Sequence, residues 1–313
     1  MKLVFMGTPD YAVKTLEKLV AAGHEVSAVF AQPDKPVGRK HILTPPPVKV
    51  CAENLGIPVF QPDTLKSAET VELIKSFEPD VIVVVAYGKI LRQEVLDIPK
   101  IACVNGHASL LPKYRGSAPI QWSIIKGEKV TGVTTMLMDK GIDTGDILEQ
   151  IEVEIGEEET AEQLFERLSE ISADLTVSTL KKLEKGEITP VKQDESKASY
   201  APMIKKEMAL LDFKNSTAEE ICFAVRGFYS WPCAFFMLSG KRIKVIKAKV
   251  CDKKSQIASQ IIENEERFVI SCKDGSAVEL LEICPEGSKP MTAKQFLCGK
   301  KLEIGTVIGE DND

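Results

Sequence analysis

Short apolar runs alternate with helical patterns through the first half of the chain. The runs are rich in β-branched residues and predict strands buried on both faces, as in a parallel sheet covered by helices. Between them, apolar positions three and four apart predict amphipathic helices. The predicted strands are 2–6, 26–31, 57–60, 81–86 and 101–104, and the predicted helices are 11–22, 48–55 and 68–77. This alternation predicts an α/β fold with a doubly wound, mainly parallel, Rossmann-like sheet.

The pattern changes in the second half of the chain. A helix at 118–125, strands at 131–138 and 147–155 and a long amphipathic helix at 160–183 are predicted first, and the composition then turns polar near Gly186. A capping sequence next begins a helix at 216–227, and short strands with little helix predict a smaller β-barrel, OB-like domain. These strands are 233–238, 242–250, 268–272 and 278–283, followed by a helix at 292–297. We therefore expect one domain over 1–189, a linker over 190–206 and a second domain over 207–313.

Composition limits the classes of function. Lys and Arg number 40 against 46 Asp and Glu, which gives a net charge of −6. This excludes a protein that is basic all over, so phosphate contacts would have to come from local patches. The eight cysteines include no Cys-x-x-Cys pair, and the three histidines give no zinc-ligand spacing. No secretory signal and no run of about 18 apolar residues is present, so we expect a cytoplasmic protein with neither a membrane span nor a metal.

Two polar side chains follow the predicted strand at 101–104. Side chains alternate along a strand, so Asn105 and His107 share one face and Gly106 faces away. Ligands of open α/β sheets bind outside the carboxyl ends of the strands, which makes this pair a candidate reaction site. Two structural alternatives stay open here, because Asn-Gly is typical of a hairpin turn and the imidazole could be a core side chain. Cys103 has the same parity, so a Cys–His nucleophile is a further alternative to a buried strand thiol.

Two basic segments and one acidic loop carry further candidate chemistry. Residues 32–47 are longer than the usual connection of about 2–6 residues, and they hold several prolines and the cations Lys35, Arg39 and Lys40. The densest basic run is 241–254, where several cations share strand parity. Each basic segment could meet phosphates or could be a solvated surface. The loop at 139–146 is rich in carboxylates and glycines but lacks the spacing and terminal Glu of a calcium loop.

Taken together, the motifs resemble those of the folate-dependent formyltransferases. The resemblance rests on Asn105-x-His107-x-Ser109-Leu110-Leu111-Pro112, on Tyr114-Arg115-Gly116, and on Asp139 with Gly141-Ile142-Asp143-Thr144-Gly145. It extends over nearly the whole chain through Gly7-Thr8-Pro9-Asp10, Gln32-Pro33-Asp34, Gly38-Arg39, Tyr200-Ala201-Pro202 and Trp231-Pro232. These additional segments are similar to the branch of the family that acts on a charged tRNA.

The resemblance implies a reaction and a set of roles. A formyl group would pass from the cosubstrate 10-formyltetrahydrofolate to the α-amine of initiator methionyl-tRNA by direct amine attack through a tetrahedral intermediate, giving N-formylmethionyl-tRNA for translation initiation. Asn105 would stabilise the oxyanion, His107 would assist it or move a proton, and Asp143 would orient the imidazole. The residues implied for folate binding are Tyr87, Gly88, Ile90, Leu91, Ser109, Leu110, Leu111 and Pro112. The residues implied for tRNA binding are Lys35, Arg39, Lys40, Lys241, Arg242 and Lys244.

Two positions depart from the family pattern, and two other functions stay open. Met203 stands where Lys often follows Ala-Pro, which concerns a contact near tRNA or in the linker. Lys40-His41 replaces a stretch richer in glycine and lysine, which changes the details of the loop. One alternative function is formyl transfer to a small amine, such as a glycinamide nucleotide or an amino sugar, which needs neither a second domain nor the loop around Arg39. The other is tRNA binding without catalysis, which the intact catalytic set argues against. We expect a monomer, since no apolar surface signal requires a dimer.

Overall fold

The computed structural model describes residues 1–38, 41–299 and 302–309. The predicted tRNA-binding residues Arg39 and Lys40 therefore lie outside the described residues. The chain forms two compact units. The first comprises Met1–Pro119, Val130–Glu154 and Phe165–Ala201, and the second comprises Ile120–Lys129, Ile155–Leu164 and Pro202–Asp313. Residues 190–201 of the predicted linker thus make their contacts within the first unit.

The strands fall into the two units as follows. Those of the first unit are β1 (Lys2–Gly7), β2 (Glu25–Phe30), β3 (Lys35–Val37), β4 (Ile42–Thr44), β5 (Val59–Phe60), β6 (Val81–Val85), β7 (Ala102–His107), β8 (Arg115–Gly116), β9 (Val130–Leu137), β10 (Ile147–Glu154) and β11 (Tyr200–Ala201). Those of the second unit are β12 (Phe235–Leu238), β13 (Lys241–Cys251), β14 (Ile261–Glu263), β15 (Phe268–Ser271), β16 (Ala277–Pro285) and β17 (Met291–Thr292). The helices are α1 (Asp10–Ala21), α2 (Pro47–Asn54), α3 (Ala68–Ser76), α4 (Gln93–Leu96), α5 (Pro119–Ile125), α6 (Ala161–Lys185), α7 (Ala218–Gly227) and α8 (Ala293–Gly299).

The first unit is built on a mixed sheet with the strand order β10-β9-β7-β6-β1-β2-β5. Strands β7, β6, β1, β2 and β5 are parallel, and β9 and β10 continue the sheet antiparallel at one edge. Every residue of β6 is buried, as a central parallel strand requires. The carboxyl ends of the parallel strands therefore meet at one edge, where the loops after β1, β2, β6 and β7 converge.

Helices cover both faces of this sheet. On one face, apolar side chains of β1, β2 and β6 form a cluster with Ile74 of α3 and Val95 of α4. On the other face, a Cβ built at Gly106 of β7 would lie 3.0 Å from the Ser172 hydroxyl of α6. The predicted doubly wound α/β class is confirmed.

The second unit carries an antiparallel sheet with the order β12-β13-β16-β15-β14, and β17 pairs with β16. Its core includes an edge-to-face series of rings, with centroids 5.6 Å apart for Phe213–Phe236 and 6.2 Å apart for Phe236–Phe268. Helix α7 begins with the predicted capping box, because the Thr217 and Glu220 side chains each accept the other's backbone N–H. The predicted barrel-like second domain is confirmed as a half-barrel.

The structure corrects several local expectations. Asn105-Gly106 lies inside β7, paired with β6 and β9, so the alternative of a hairpin turn is wrong. The long connection after β2 contains the β3–β4 hairpin, with Pro36 opposite Leu43. That hairpin escaped prediction because its strands are three residues long and exposed, and one of them contains proline, so they show no alternating pattern. Among the described residues, no helix has the length and apolarity needed to cross a membrane.

Candidate active site

Asn105 occupies the end of β7 with its amide available. Its backbone pairs with Val84 of β6 and Met136 of β9, which fixes the direction of the side chain. The residue is half-buried, and within the described part of the chain no group hydrogen-bonds its amide. A rigid strand therefore presents an unused N–H donor at the edge where ligands of such sheets bind.

His107 is held from one side of its ring. The side chain is 7% exposed, and Nε2 lies 3.0 Å from the Tyr114 carbonyl oxygen. A carbonyl only accepts hydrogen bonds, so Nε2 carries a proton and Nδ1 is the nitrogen left for chemistry. Nδ1 lies 3.6 Å from Asp143 Oδ2, beyond a direct hydrogen bond, so the carboxylate faces the ring without bonding to it.

Asp143 reaches His107 from the loop between β9 and β10. Its side chain is 14% exposed, and Oδ2 also accepts the Gly116 backbone N–H at 2.8 Å. The loop is stabilised internally, because Asp139 Oδ1 accepts the Gly141 N–H at 2.9 Å and the Thr144 hydroxyl at 2.6 Å. The structure thus brings together His107 and Asp143, which lie 36 positions apart in sequence. His107 itself lies two residues beyond Asn105, on the same face of β7.

The segment from Ser109 to Pro112 uses its polar groups internally. The Ser109 hydroxyl donates to the Lys113 carbonyl at 2.6 Å, and the Ser109 carbonyl accepts the Thr134 hydroxyl at 2.7 Å. The same Thr134 oxygen accepts the Leu111 N–H at 3.1 Å. Ser109 and Leu111 are buried, and Leu110 and Pro112 are half-buried. The exposed parts of Leu110 and Pro112 are therefore what this segment offers to a ligand.

The loop after β6 divides into buried and exposed positions. Tyr87 and Leu91 belong to the core cluster, whereas Gly88 is exposed and Ile90 is 71% exposed. The Tyr87 carbonyl accepts the Thr8 hydroxyl at 3.0 Å and the Gln32 amide at 3.1 Å, which joins the ends of β1, β2 and β6. Burial raises the pKa of Tyr87 to about 12, and its buried hydroxyl has no hydrogen-bond partner among the described residues.

A cavity of about 580 Å³ lies beside β7 on the face that carries Cys103. Its walls come from α4, the start of β7, the end of β9 and the first residues of the Asp143 loop. They are Gln93, Leu96, Asp97, Ile101, Ala102, Cys103, Leu137, Met138, Asp139, Lys140 and Gly141. None of the residues predicted for folate binding is among them. No pattern in the sequence marks this cavity, because separate helix, strand and loop segments form it and each lining residue is unremarkable in its own segment.

Cys103 is a core thiol on this wall. It is 4% exposed, and its sulfur faces the Leu96 carbonyl of α4 at 3.8 Å. Burial raises the pKa of the Cys103 thiol to about 12. The thiolate needed for nucleophilic attack is therefore almost absent at neutral pH, which argues against the Cys–His alternative.

The predicted tRNA-binding cations that are described lie on exposed surfaces. Lys35 lies in β3 of the first unit, and Lys241, Arg242 and Lys244 lie in β13 of the second unit. The Arg242 guanidinium lies 4.5 Å from the Phe235 ring centroid, a cation–π contact. Over the described part of the chain, no three His, Cys, Asp or Glu side chains group closely enough to hold a metal ion.

Comparison with known proteins extends these observations. Residues 1–180 match the family model described as formyl transferase, and residues 203–301 match the model described as formyl transferase, C-terminal domain. The chain is 45% identical over 303 residues to the methionyl-tRNA formyltransferase of Thermodesulfovibrio yellowstonii, covering 97% of each chain. It is 44% identical over 314 residues to the enzyme of that name from Bacillus mycoides, covering 99% of each chain.

Solved structures share the fold. The methionyl-tRNA formyltransferase of Clostridium thermocellum is 21% identical with a TM-score of 0.57, and the match covers 82% of this chain and 96% of that one. An N-formyltransferase of Helicobacter canadensis in complex with folinic acid and dTDP-3-aminofucose is 24% identical with a TM-score of 0.67, and the match covers 90% of this chain and 98% of that one. HypX of Aquifex aeolicus in complex with tetrahydrofolic acid is 18% identical with a TM-score of 0.63, and the match covers 98% of this chain and 50% of that one.

Proposed function

The chain belongs to the methionyl-tRNA formyltransferase family, and we propose that it transfers the formyl group of 10-formyltetrahydrofolate to the α-amine of initiator methionyl-tRNA. The observation that carries this proposal at the level of chemistry is the free Asn105 amide two residues before the His107–Asp143 pair. The product would be N-formylmethionyl-tRNA for translation initiation. The reaction would take place in the cytoplasm. A monomer is sufficient for this reaction, because the proposed catalytic side chains all come from one chain.

Asn105 is proposed as the oxyanion donor. When the neutral amine attacks the formyl carbon, the C–N bond forms and the carbonyl π electrons move to oxygen. An N–H donor held in place by a strand stabilises that developing charge without reorganising. Collapse of the intermediate restores the carbonyl, breaks the bond to the folate nitrogen and leaves the formyl group on the amine.

His107 and Asp143 are proposed to carry the proton from the attacking amine to the departing folate nitrogen. The attacking amine must lose one proton, and the departing folate nitrogen must gain one. Because the Nε2–H group already donates a hydrogen bond to the Tyr114 carbonyl, Nδ1 is the nitrogen that can accept and return a proton. Asp143 would stabilise the charged ring while that proton is held.

The cavity beside β7 is proposed to hold the pterin ring of the cosubstrate. Its volume of about 580 Å³ falls in the range of small-molecule sites. Leu96, Ile101 and Leu137 supply apolar walls, and Gln93 and Asp97, whose side chains hydrogen-bond to each other at 2.5 Å, supply polar groups for the edge of a pterin. The cavity reaches Cys103, two residues before Asn105, so a pterin bound there would bring the formyl group on the neighbouring N10 atom toward Asn105. The exposed positions Gly88 and Ile90 would flank the remainder of the folate.

The proposed substrate is tested by comparing acceptors. Purified protein and 10-formyltetrahydrofolate are incubated separately with methionyl-initiator-tRNA, free methionine, glycinamide ribonucleotide and a nucleotide-linked 3-amino sugar. We expect formylation of the charged tRNA alone. Formylation of a small amine, with the charged tRNA untouched, would retain the catalytic assignment and reject the tRNA substrate.

A further inference from the structure

The side chain of Gln193 fills the space behind the Asp143 loop. Its Nε2 donates to the Asp143 carbonyl at 2.9 Å and to the Gly145 carbonyl at 2.7 Å. Its Oε1 accepts from Arg115 Nε at 3.0 Å and from Arg115 Nη2 at 2.8 Å. Both N–H groups and both lone pairs of the amide are therefore in use, so its orientation is determined.

Arg115 is fixed in turn by a carboxylate. It is 1% exposed, and Glu195 accepts from Nη1 at 2.9 Å and from Nη2 at 2.7 Å. This two-point geometry is the strongest that an arginine and a carboxylate form. The Arg115 guanidinium holds the pKa of the Glu195 carboxyl below its usual range, so the pair is charged at neutral pH.

The backbone around Arg115 contacts the proposed catalytic pair directly. The Tyr114 carbonyl accepts from His107 Nε2 at 3.0 Å, and the Gly116 N–H donates to Asp143 Oδ2 at 2.8 Å. Strand β8 is in turn paired with β11, with Arg115 opposite Tyr200. Residues 191–201 thus contact the site at two points, through β11 and through Gln193.

Asp143 needs such support because of its backbone. Its φ is +55°, in the left-handed region that residues other than glycine enter uncommonly, Asn and Asp more readily than most. Gln193 donates to the carbonyls of Asp143 and of Gly145, which fixes the turn that immediately follows this left-handed residue. A loop free to relax at this point would move Oδ2 away from His107.

We propose that Gln193 is a positioning residue for the Asp143–His107 pair, and that Arg115 and Glu195 hold the Gln193 amide in the required orientation. The kinetic consequences of this inference rest on the proposed function, whereas the effect of Gln193 on the geometry of the loop is independent of it. It assigns part of the predicted linker to the active site.

The deciding variant is Gln193→Glu, which is nearly the same size. Its carboxylate would keep the contact with Arg115 but cannot donate to the Asp143 and Gly145 carbonyls. We expect kcat for formyl transfer to fall by about 10–100-fold, as for a misplaced catalytic group, with KM for the charged tRNA unchanged. Lys192→Ala, at the exposed neighbouring position, should leave kcat unaltered.

A double variant separates positioning from general stabilisation. If Gln193 acts through Asp143, then Gln193→Glu should reduce kcat no further in an Asp143→Asn background. Multiplicative losses in the double variant, or a wild-type kcat in Gln193→Glu, would overturn the proposal. Gln193→Met, which removes both sets of hydrogen bonds, serves as the second variant should Gln193→Glu fail to fold.

Hydrogen exchange provides a readout that does not need activity. Gln193→Glu should speed exchange of the backbone amides of residues 139–146, with the amides of β6 unchanged. Unaltered exchange in the loop would contradict the positioning role even if kcat fell. Absence of formyl transfer by the wild type would reject the proposed function alone, since the exchange result would still decide whether Gln193 orders the loop.

Discussion

At the scale of single residues, the amide of Asn105 has a role that a simple truncation tests. Asn105→Ala should lower kcat by roughly 10²–10³-fold, the usual loss for one oxyanion donor, because the developing negative charge loses a preorganised N–H. KM for the charged tRNA and the thermal midpoint should stay close to wild type, since no described group depends on the amide. A kcat within the error of wild type would reject the oxyanion role. The assay is steady-state formyl transfer with the charged tRNA varied and 10-formyltetrahydrofolate saturating.

Cys103 gives the matched control and a prediction of pH dependence. Its pKa of about 12 means that the folded protein keeps the thiol neutral, whereas an unfolded thiol with a pKa near 8.5 ionises earlier. Alkylation of Cys103 in the native state should therefore be very slow near pH 8 and rise steadily toward pH 12. The unfolded state releases its proton first, so the stability that burial of this thiol provides is present below about pH 8.5 and is lost as pH rises above it.

Cys103→Ala should retain most of kcat when 10-formyltetrahydrofolate is saturating, because a neutral core thiol takes no part in the chemistry. It should also weaken the loss of stability above about pH 8.5 relative to wild type. Rapid native-state alkylation at pH 7, measured by mass spectrometry of the peptide that contains Cys103, would contradict the buried, neutral thiol. Loss of turnover in a folded Cys103→Ala protein would revive the nucleophile alternative.

Residue types and the alternation of side chains along a strand predicted part of this site. The rest could not be predicted for a physical reason. Alternation along β7 was enough to place Asn105 and His107 on one face. Nothing local connects His107 with Asp143, so only the resemblance to a family could predict that pair. The Nε2 contact with the Tyr114 carbonyl and the support from Gln193 arise from backbone groups and from a distant segment, and neither leaves a pattern in sequence.

At the scale of elements, Thr134 of β9 holds the segment from Ser109 to Pro112 in place. Thr134→Val removes a hydroxyl that donates to the Ser109 carbonyl and accepts the Leu111 N–H, and it leaves buried polar groups without partners. We expect the free energy of unfolding to fall by about 1–3 kcal/mol. Chemical denaturation monitored by fluorescence measures this change.

The same strand supplies the control. Thr131 is buried like Thr134, but its hydroxyl has no hydrogen-bond partner among the described residues. Thr131→Val removes an unsatisfied polar group and should be neutral or stabilising. Equal destabilisation by both substitutions would show that the loss comes from altered packing of valine and not from the hydrogen bonds of Thr134.

Elements with a strong apolar signal were predicted well, and short elements were not. The runs that became β1, β6 and β7 were correct to within one or a few residues, because burial on both faces leaves an uninterrupted apolar signal. Strands β8 and β11 are two residues long and exist only because each pairs with the other. A pairing between distant dipeptides has no period to detect, so the sequence could not predict the element that supports His107.

At the scale of the whole molecule, an acidic chain must bind an anionic substrate. The net charge of −6 opposes the approach of tRNA, so attraction must come from local cations. Strand β13 carries two kinds of lysine, those paired with a carboxylate and those that are not. Lys247 pairs with Glu158 at 2.8 Å and Lys249 pairs with Glu279 at 3.4 Å, whereas within the described residues no carboxylate pairs with Lys241 or Lys244. The unpaired lysines are therefore the ones free to neutralise phosphates.

This difference predicts unequal effects from equal changes of charge. The double variant Lys241→Gln, Lys244→Gln should raise KM for the charged tRNA and reduce the slope of log affinity against log salt by about 1 per lost phosphate contact. The double variant Lys247→Gln, Lys249→Gln alters the net charge by the same amount but removes lysines already engaged by carboxylates, so its slope should change less. KM for 10-formyltetrahydrofolate should be unaffected in both. Identical slopes for the two variants would mean that tRNA responds only to overall charge, and the assignment of Lys241 and Lys244 as contacts would fail.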